Sequence, residues 1–250
     1  MKHQSKRSLG DIPGLELHLS PALVKWIGLV CLCFGSLSAS FIQQGILGGT
    51  PLEQLGESPA LTAWANAAVV CTAISYLAIP IYARLVYEGV RRTSNFRRYL
   101  LRLAALALLA EIPYDLVWTG AAIDWSTQNP VWGIAIAAVM ARLDETRAQP
   151  GTRGSVLQCL TMLMAAAWAL VFRSQFGLLT VLLTAVLELF SGKRGAASLA
   201  GGFLCCLQLP APLGMLVSYW YDGAKGKPAK YRFYLLYLAQ LLLFSLHVIF

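Results

Sequence analysis

Three carboxylates, Glu88, Glu111 and Asp115, interrupt or end long apolar runs in this chain. A charge at the middle of a bilayer-spanning helix costs roughly 2.5–3.5 kcal/mol on insertion scales, so each needs a protein interior or a polar cavity around it. Glu111 and Asp115 are four residues apart, which puts them on one helix face about 6 Å apart along the axis. Pro113 between them removes a backbone hydrogen bond one turn earlier. Such a pair can form a polar pocket for a substrate group, and it can equally serve as ion-pair partners for Arg or Lys on another helix. Glu88 follows the apolar run Ile79–Tyr87 and has Arg84 one turn before it. That spacing suits an intrahelical ion pair, weak if exposed and costly to break if buried.

Further polar clusters carry weaker signals. Ser126-Thr127-Gln128-Asn129-Pro130 precedes an apolar run. Helix capping explains it, and Gln128 and Asn129 are also placed to orient a substrate. Tyr221-Asp222-Gly223-Ala224-Lys225-Gly226-Lys227 is a turn-rich cationic stretch, extended by Lys230. Backbone N–H groups and lysines in such a stretch can hold phosphates, yet it matches no P-loop, and ordinary turn chemistry accounts for it as well. The histidines are His3, His18 and His247. No Ser/His/Asp order, HExxH or metal-ligating cluster can be built from them, so no bound metal is expected. The six cysteines all fall in apolar stretches without zinc-ligand spacing and read as small core residues.

The elements that must position these residues follow from composition. Of 250 residues, 57% are hydrophobic and 13% charged, against about 25% charged in soluble domains. The pattern predicts an all-α, polytopic transmembrane helix bundle of about eight spans, roughly 22–45, 61–87, 98–118, 130–143, 155–172, 175–190, 197–220 and 231–250. One membrane domain, residues 22–250, follows a basic cytoplasmic tail, residues 1–21. That tail lacks the apolar core of a cleavable signal, which leaves the first span as the targeting signal. Pro80 should kink the second span.

Basic residues gather in the tail and in residues 88–98, 141–154 and 191–195, whereas 46–60 and 119–129 carry only Glu53, Glu57 and Asp124. The alternation places both termini in the cytoplasm. The net charge of +8 then reports topology, and no nucleic-acid partner is expected. Residues 221–232 break the alternation, because eight crossings would put Lys225, Lys227, Lys230 and Arg232 outside. The seventh span, split by Pro210 and Pro212, is the one whose crossing is in question.

Several segments taken together resemble the TraX family, integral membrane proteins named for the F-pilin N-acetylase. They are Ile79-Pro80-Ile81-Tyr82 through Glu88-Gly89 and Thr93, Tyr99–Leu103 followed by Glu111–Asp115, and Gln128-Asn129. Near the end come Tyr221–Gly226 and Lys230-Tyr231-Arg232-Phe233-Tyr234. The segments occur in family order over about residues 22–250. The resemblance implies a bacterial inner-membrane acyltransferase that moves acetyl from acetyl-CoA to an amine such as a processed pilin N-terminus. In that reading Glu111 and Asp115 bind or polarise the acceptor, and Glu88 holds the cytoplasmic mouth. Gln128 and Asn129 orient the acyl group, and Lys225, Lys227 and Lys230 attract the donor's phosphates. Asp222, Tyr231 and Tyr237 join the substrate-binding set.

The chain also departs from the pattern. Where the family carries an Asp–His pair in the first helix this chain has Gly35-Ser36, where it carries a second histidine stands Gln240, and a frequent carboxylate is Gln175. Gln240 cannot accept a proton at neutral pH. The alternative is therefore a catalytically degenerate scaffold or binding protein of conjugation or envelope assembly. A small-molecule transporter would also use intramembrane carboxylates, but the two corresponding halves expected of one are not visible.

Overall fold

The computed structural model describes residues 18–48, 58–147, 151–221, 223 and 231–249. The tail up to residue 17, Glu53, Glu57, Asp222, Lys225, Lys227 and Lys230 lie outside these.

The fold is an all-α bundle, and three of its helical stretches, Pro21–Ile46, Pro59–Arg92 and Thr152–Val171, are long and apolar enough to cross a membrane. The first begins as α1 (Pro21–Ser36), capped by the Ser20 hydroxyl, and widens into a π-helical turn sequence over Leu37–Ile46. The second is interrupted at Leu77, dividing α2 (Pro59–Tyr76) from α3 (Ala78–Arg92). Pro80 has no N–H to offer the preceding turn, so the expected kink takes the form of a break three residues earlier. After α3 the chain runs through α4 (Phe96–Thr119), α5 (Pro130–Arg147), α6 (Thr152–Val171) and α7 (Gly177–Leu189). It ends with α8 (Arg194–Cys205), α9 (Pro212–Trp220) and α10 (Arg232–Ile249).

Close packing rests on small residues. A Cβ added to Gly133 of α5 would lie 2.5 Å from the Gly177 Cα at the start of α7, so these backbones touch. Between the first helical stretch, Pro21–Ile46, and α2, Ser38 bonds to the Ala68 carbonyl and to Thr72, and Gly35 abuts Ser75, which sets the two antiparallel.

The stretch expected as the seventh span folds as a hairpin of two short helices. α8 enters from the end of the bundle where Glu188 and Ser191 meet Arg91 and Tyr87. The chain reverses over Cys206–Ala211, and α9 returns to the same end, where the Trp220 carbonyl accepts from the Leu19 amide at 2.9 Å. Twelve residues make α8 about 18 Å long, roughly half a bilayer core. The reversal keeps its backbone paired, as transmembrane depth requires, through Gln208 N–H to Cys205 and Ala211 N–H to Gln208. Gly214 of α9 rests on the Leu77 carbonyl at the α2–α3 break, a place any side chain would fill.

This hairpin corrects the expected topology. The start of α10 now lies at the end occupied by Leu19 and Arg92, and its last turns reach the opposite end, where the Phe244 carbonyl accepts from Ser40 and His247 stacks on Phe41. The first and last described helices therefore begin and finish at opposite ends of the bundle, not at one. The physical reason is that two prolines within three residues stop a helix before it can cross.

Candidate functional site

The helices enclose a cavity of about 750 Å³, a size suited to a cofactor or substrate. α10 contributes Phe233, Tyr234, Tyr237, Gln240 and Leu241, whose three- and four-residue spacing is one helix face. α4 adds Tyr99, Leu103, Leu106, Tyr114 and Trp118, and α3 adds Tyr82, Val86, Glu88 and Arg92. Lys25, Gly35 and Ser36 come from α1, and Gln175 and Thr180 from the start of α7.

Polarity changes along this space. The lining toward the mouth includes Lys25, Arg92 and Arg232 and a single carboxylate, Glu88. The middle is walled by tyrosines and aliphatic side chains, and the far end carries uncharged Ser36, Ser75, Gln175 and Thr180. Glu88 is held from both sides on its own helix, by Arg84 at 2.9 Å and Arg92 at 3.0 Å. Arg84 and Glu88 are both largely buried, and the Arg84 guanidinium also faces the rings of Tyr87 and Tyr221. This cluster is a fixed cationic rim with net charge +1.

Gly223 sits on the rim: a Cβ there would lie 3.2 Å from Arg92 Nη2 and 3.4 Å from Glu88 Oε1, and its positive φ of 67° favours glycine. Tyr221 on one flank of the basic segment and Arg232 on the other both line the cavity. The hairpin thus brings both flanks of the basic segment to the same mouth as Glu88.

The other sequence candidates assemble elsewhere. Glu111 Oε1 accepts from the Asn129 amide at 3.2 Å, and Oε2 accepts from Trp132 Nε1 at 2.8 Å and from the Asn129 side-chain amide. Asn129 is fully buried, donates also to the Ala107 carbonyl at 2.8 Å, and caps α5 by accepting from Val131 N–H at 3.0 Å. Four donor–acceptor pairs therefore clamp the start of α5 onto α4. Gln128 exchanges backbone bonds with Arg173 and Gln175, tying the same corner to the start of α7. Asp115 Oδ2 accepts from the Asp124 amide at 2.9 Å, closing the loop after α4. Asp124 is held below the usual carboxylate range by the Ser126 hydroxyl and then by the Ser126 amide, both donating to it.

None of Glu111, Asp115, Gln128 or Asn129 lines the cavity; of the described candidates only Glu88 and Tyr237 do so. Tyr231 is exposed beside the mouth. The carboxylate pair lies one layer behind the wall, next to Tyr114, Pro130 and Val131, which do line it. Sequence reasoning missed Lys25, Tyr82, Tyr99, Tyr234 and Arg232. The three- and four-residue spacing of the α10 residues is the signal in the sequence that marks them as one face. Among the described residues no group of three His, Cys, Asp or Glu is arranged to hold a metal ion.

Fold and cavity together define a polytopic helical membrane protein with an internal site that reaches the surface at its basic end. The family model described as TraX protein matches residues 20–248, and the chain belongs to the TraX family. No curated protein and no solved structure matches it. The positions that the resemblance marks as departures converge in space: Gly35-Ser36, Gln175 and Gln240 all line this cavity.

Proposed function

We propose that the cavity receives an acyl donor, acetyl-CoA, and that the protein passes the acyl group to an amine such as a processed pilin N-terminus. The observation that supports this best is the gradient from a cationic mouth to an uncharged floor, which suits a molecule with phosphates at one end and a thioester at the other. In this reading the donor's phosphates are also assigned to Lys225, Lys227 and Lys230, basic residues of the segment between Tyr221 and Arg232. With the basic end on the cytoplasmic side of a bacterial inner membrane, the mouth faces the donor pool and the bundle obeys the positive-inside rule.

In this reading the amine nitrogen attacks the thioester carbonyl, a C–N bond forms and the C–S bond breaks. The thiolate leaving group takes the proton the amine loses, giving an amide and a thiol. The amine therefore has to arrive uncharged, because Glu88 is engaged by two arginines and the floor holds no imidazole. Tyr237 and the tyrosines beside it supply O–H donors for the developing oxyanion. Glu111 and Asp115 act as positioning residues that hold the α4–α5 corner.

A second reading, binding without transfer, is favoured by Ser36, Gln175 and Gln240, none of which accepts a proton at neutral pH. One experiment separates them. Purified full-length protein in nanodiscs is given acetyl-labelled acetyl-CoA and an amine-bearing peptide. Saturable binding, weakened by the double change Arg92→Ala and Arg232→Ala, with label in the peptide supports transfer. Binding with no label in any amine selects the second reading, and no saturable binding sinks both.

A further inference from the structure

Gln240 is 9% exposed and lines the cavity, yet among the described residues neither its Nε2 nor its Oε1 has a hydrogen-bond partner. Other glutamines of the chain behave differently. Gln44 donates to the Val117 carbonyl at 2.7 Å, Gln43 to Ser38 at 3.0 Å and Gln128 to the Asp124 carbonyl at 3.2 Å. A buried amide left with two unmet groups weakens a fold, and such a group in a native cavity calls for a partner from outside the chain. An amide presents one face with a donor and an acceptor side by side, which matches another amide and leaves a carboxylate or an ammonium half-paired.

Gln240 lies eight residues from Arg232 along α10, hence about 12 Å deeper than the cationic rim. We infer that Gln240 is a ligand-binding residue that pairs with a neutral amide group, and that the cavity selects elongated anionic molecules carrying such an amide well inside the charged end. The inference rests on the cavity being a ligand site and deepens the donor reading, since the arm of a coenzyme A ester carries secondary amides between its phosphates and its sulfur.

The test compares three probes on the full-length protein in nanodiscs: 9-acetamidononanoate, its amide-free counterpart of matching length dodecanoate, and acetyl-CoA. Gln240→Met, which keeps the shape and removes the amide, should weaken 9-acetamidononanoate about tenfold or more and leave dodecanoate unchanged. Acetyl-CoA should weaken by a similar factor. The ligand-free Gln240→Met and Gln240→Leu proteins should melt no lower than wild type, because the amide they lose has no partner among the described residues. Melting well below wild type in both variants, or equal loss of both carboxylate probes, overturns the inference by making Gln240 structural. Unchanged binding of acetyl-CoA and of 9-acetamidononanoate to Gln240→Met overturns the inference and leaves the donor reading standing. Failure of acetyl-CoA to bind, with 9-acetamidononanoate still dependent on Gln240, overturns the donor reading alone. If no probe binds, both fall.

Discussion

Glu88 and Glu111 show two ways of keeping a carboxylate inside a helical bundle. Glu88 is held by two arginines and Glu111 by a ring of N–H donors, and the consequences of removing them differ. Glu88→Ala leaves the largely buried Arg84 without its ion-pair partner. A loss of about 3 kcal/mol is expected, read as a lower melting temperature in detergent, whereas Arg92→Ala, at a half-exposed partner, should cost under about 1 kcal/mol. Glu111→Gln puts an NH2 group where donors already converge from Asn129 and Trp132. It should destabilise by about 1–3 kcal/mol and shift the fluorescence of Trp132. If Glu111→Gln abolishes acetyl transfer while melting and Trp132 emission stay at wild type, Glu111 touches the reacting groups and the positioning role is wrong. The sequence placed these carboxylates and the Arg84 spacing correctly as polar points in apolar helices. It did not show that Asn129 and Trp132 converge on Glu111, because that depends on α5 folding back against α4.

At the scale of elements, the α8–α9 hairpin is the feature on which the mouth depends. It is held by Gly214 against the Leu77 carbonyl and by Gly201 against Met215. Gly214→Ala should push α9 off the break and lower the melting temperature by several degrees, with donor binding reduced because Tyr221 loses its seat. A protein that melts and binds as wild type would mean the contact is slack. The loop after α4 offers a test in pH. Asp124 has its carboxyl lowered relative to an unfolded chain, so its contribution is complete above the ordinary carboxylate value and is lost as pH falls through the lowered one. Loosening of this loop, followed by amide exchange at Ser126, should set in only below the usual carboxylate range, and Asp124→Asn should show it at neutral pH. Helix existence was legible from apolar length and capping residues, and Pro80 announced its break. That the 197–220 stretch turns back instead of crossing was only half legible, since prolines stop a helix without saying where the chain goes next.

For the whole molecule, the hairpin restores a single basic end. Gly223, Arg92 and Arg194 are expected on one side of the membrane and residue 249 on the other. Cysteines at 223 and at 194, in a background lacking the six native cysteines, should react with an impermeant reagent from the same side, and a C-terminal tag should be accessible from the opposite side. Labelling of 223 and 194 from different sides would require α8 and α9 to cross. The sequence by itself determined the apolar all-α character, most helix positions and the family. Those properties are local: hydropathy, proline, capping and motif order act within a few residues. Only the tertiary structure decided that Ser36, Gln175 and Gln240, more than 200 residues apart at their extremes, face one cavity. It also decided that Glu111 and Asp115 stand behind its wall. Which face of a membrane helix meets a cavity is set by how neighbouring helices pack, and apolar residues that face lipid or protein look alike in sequence.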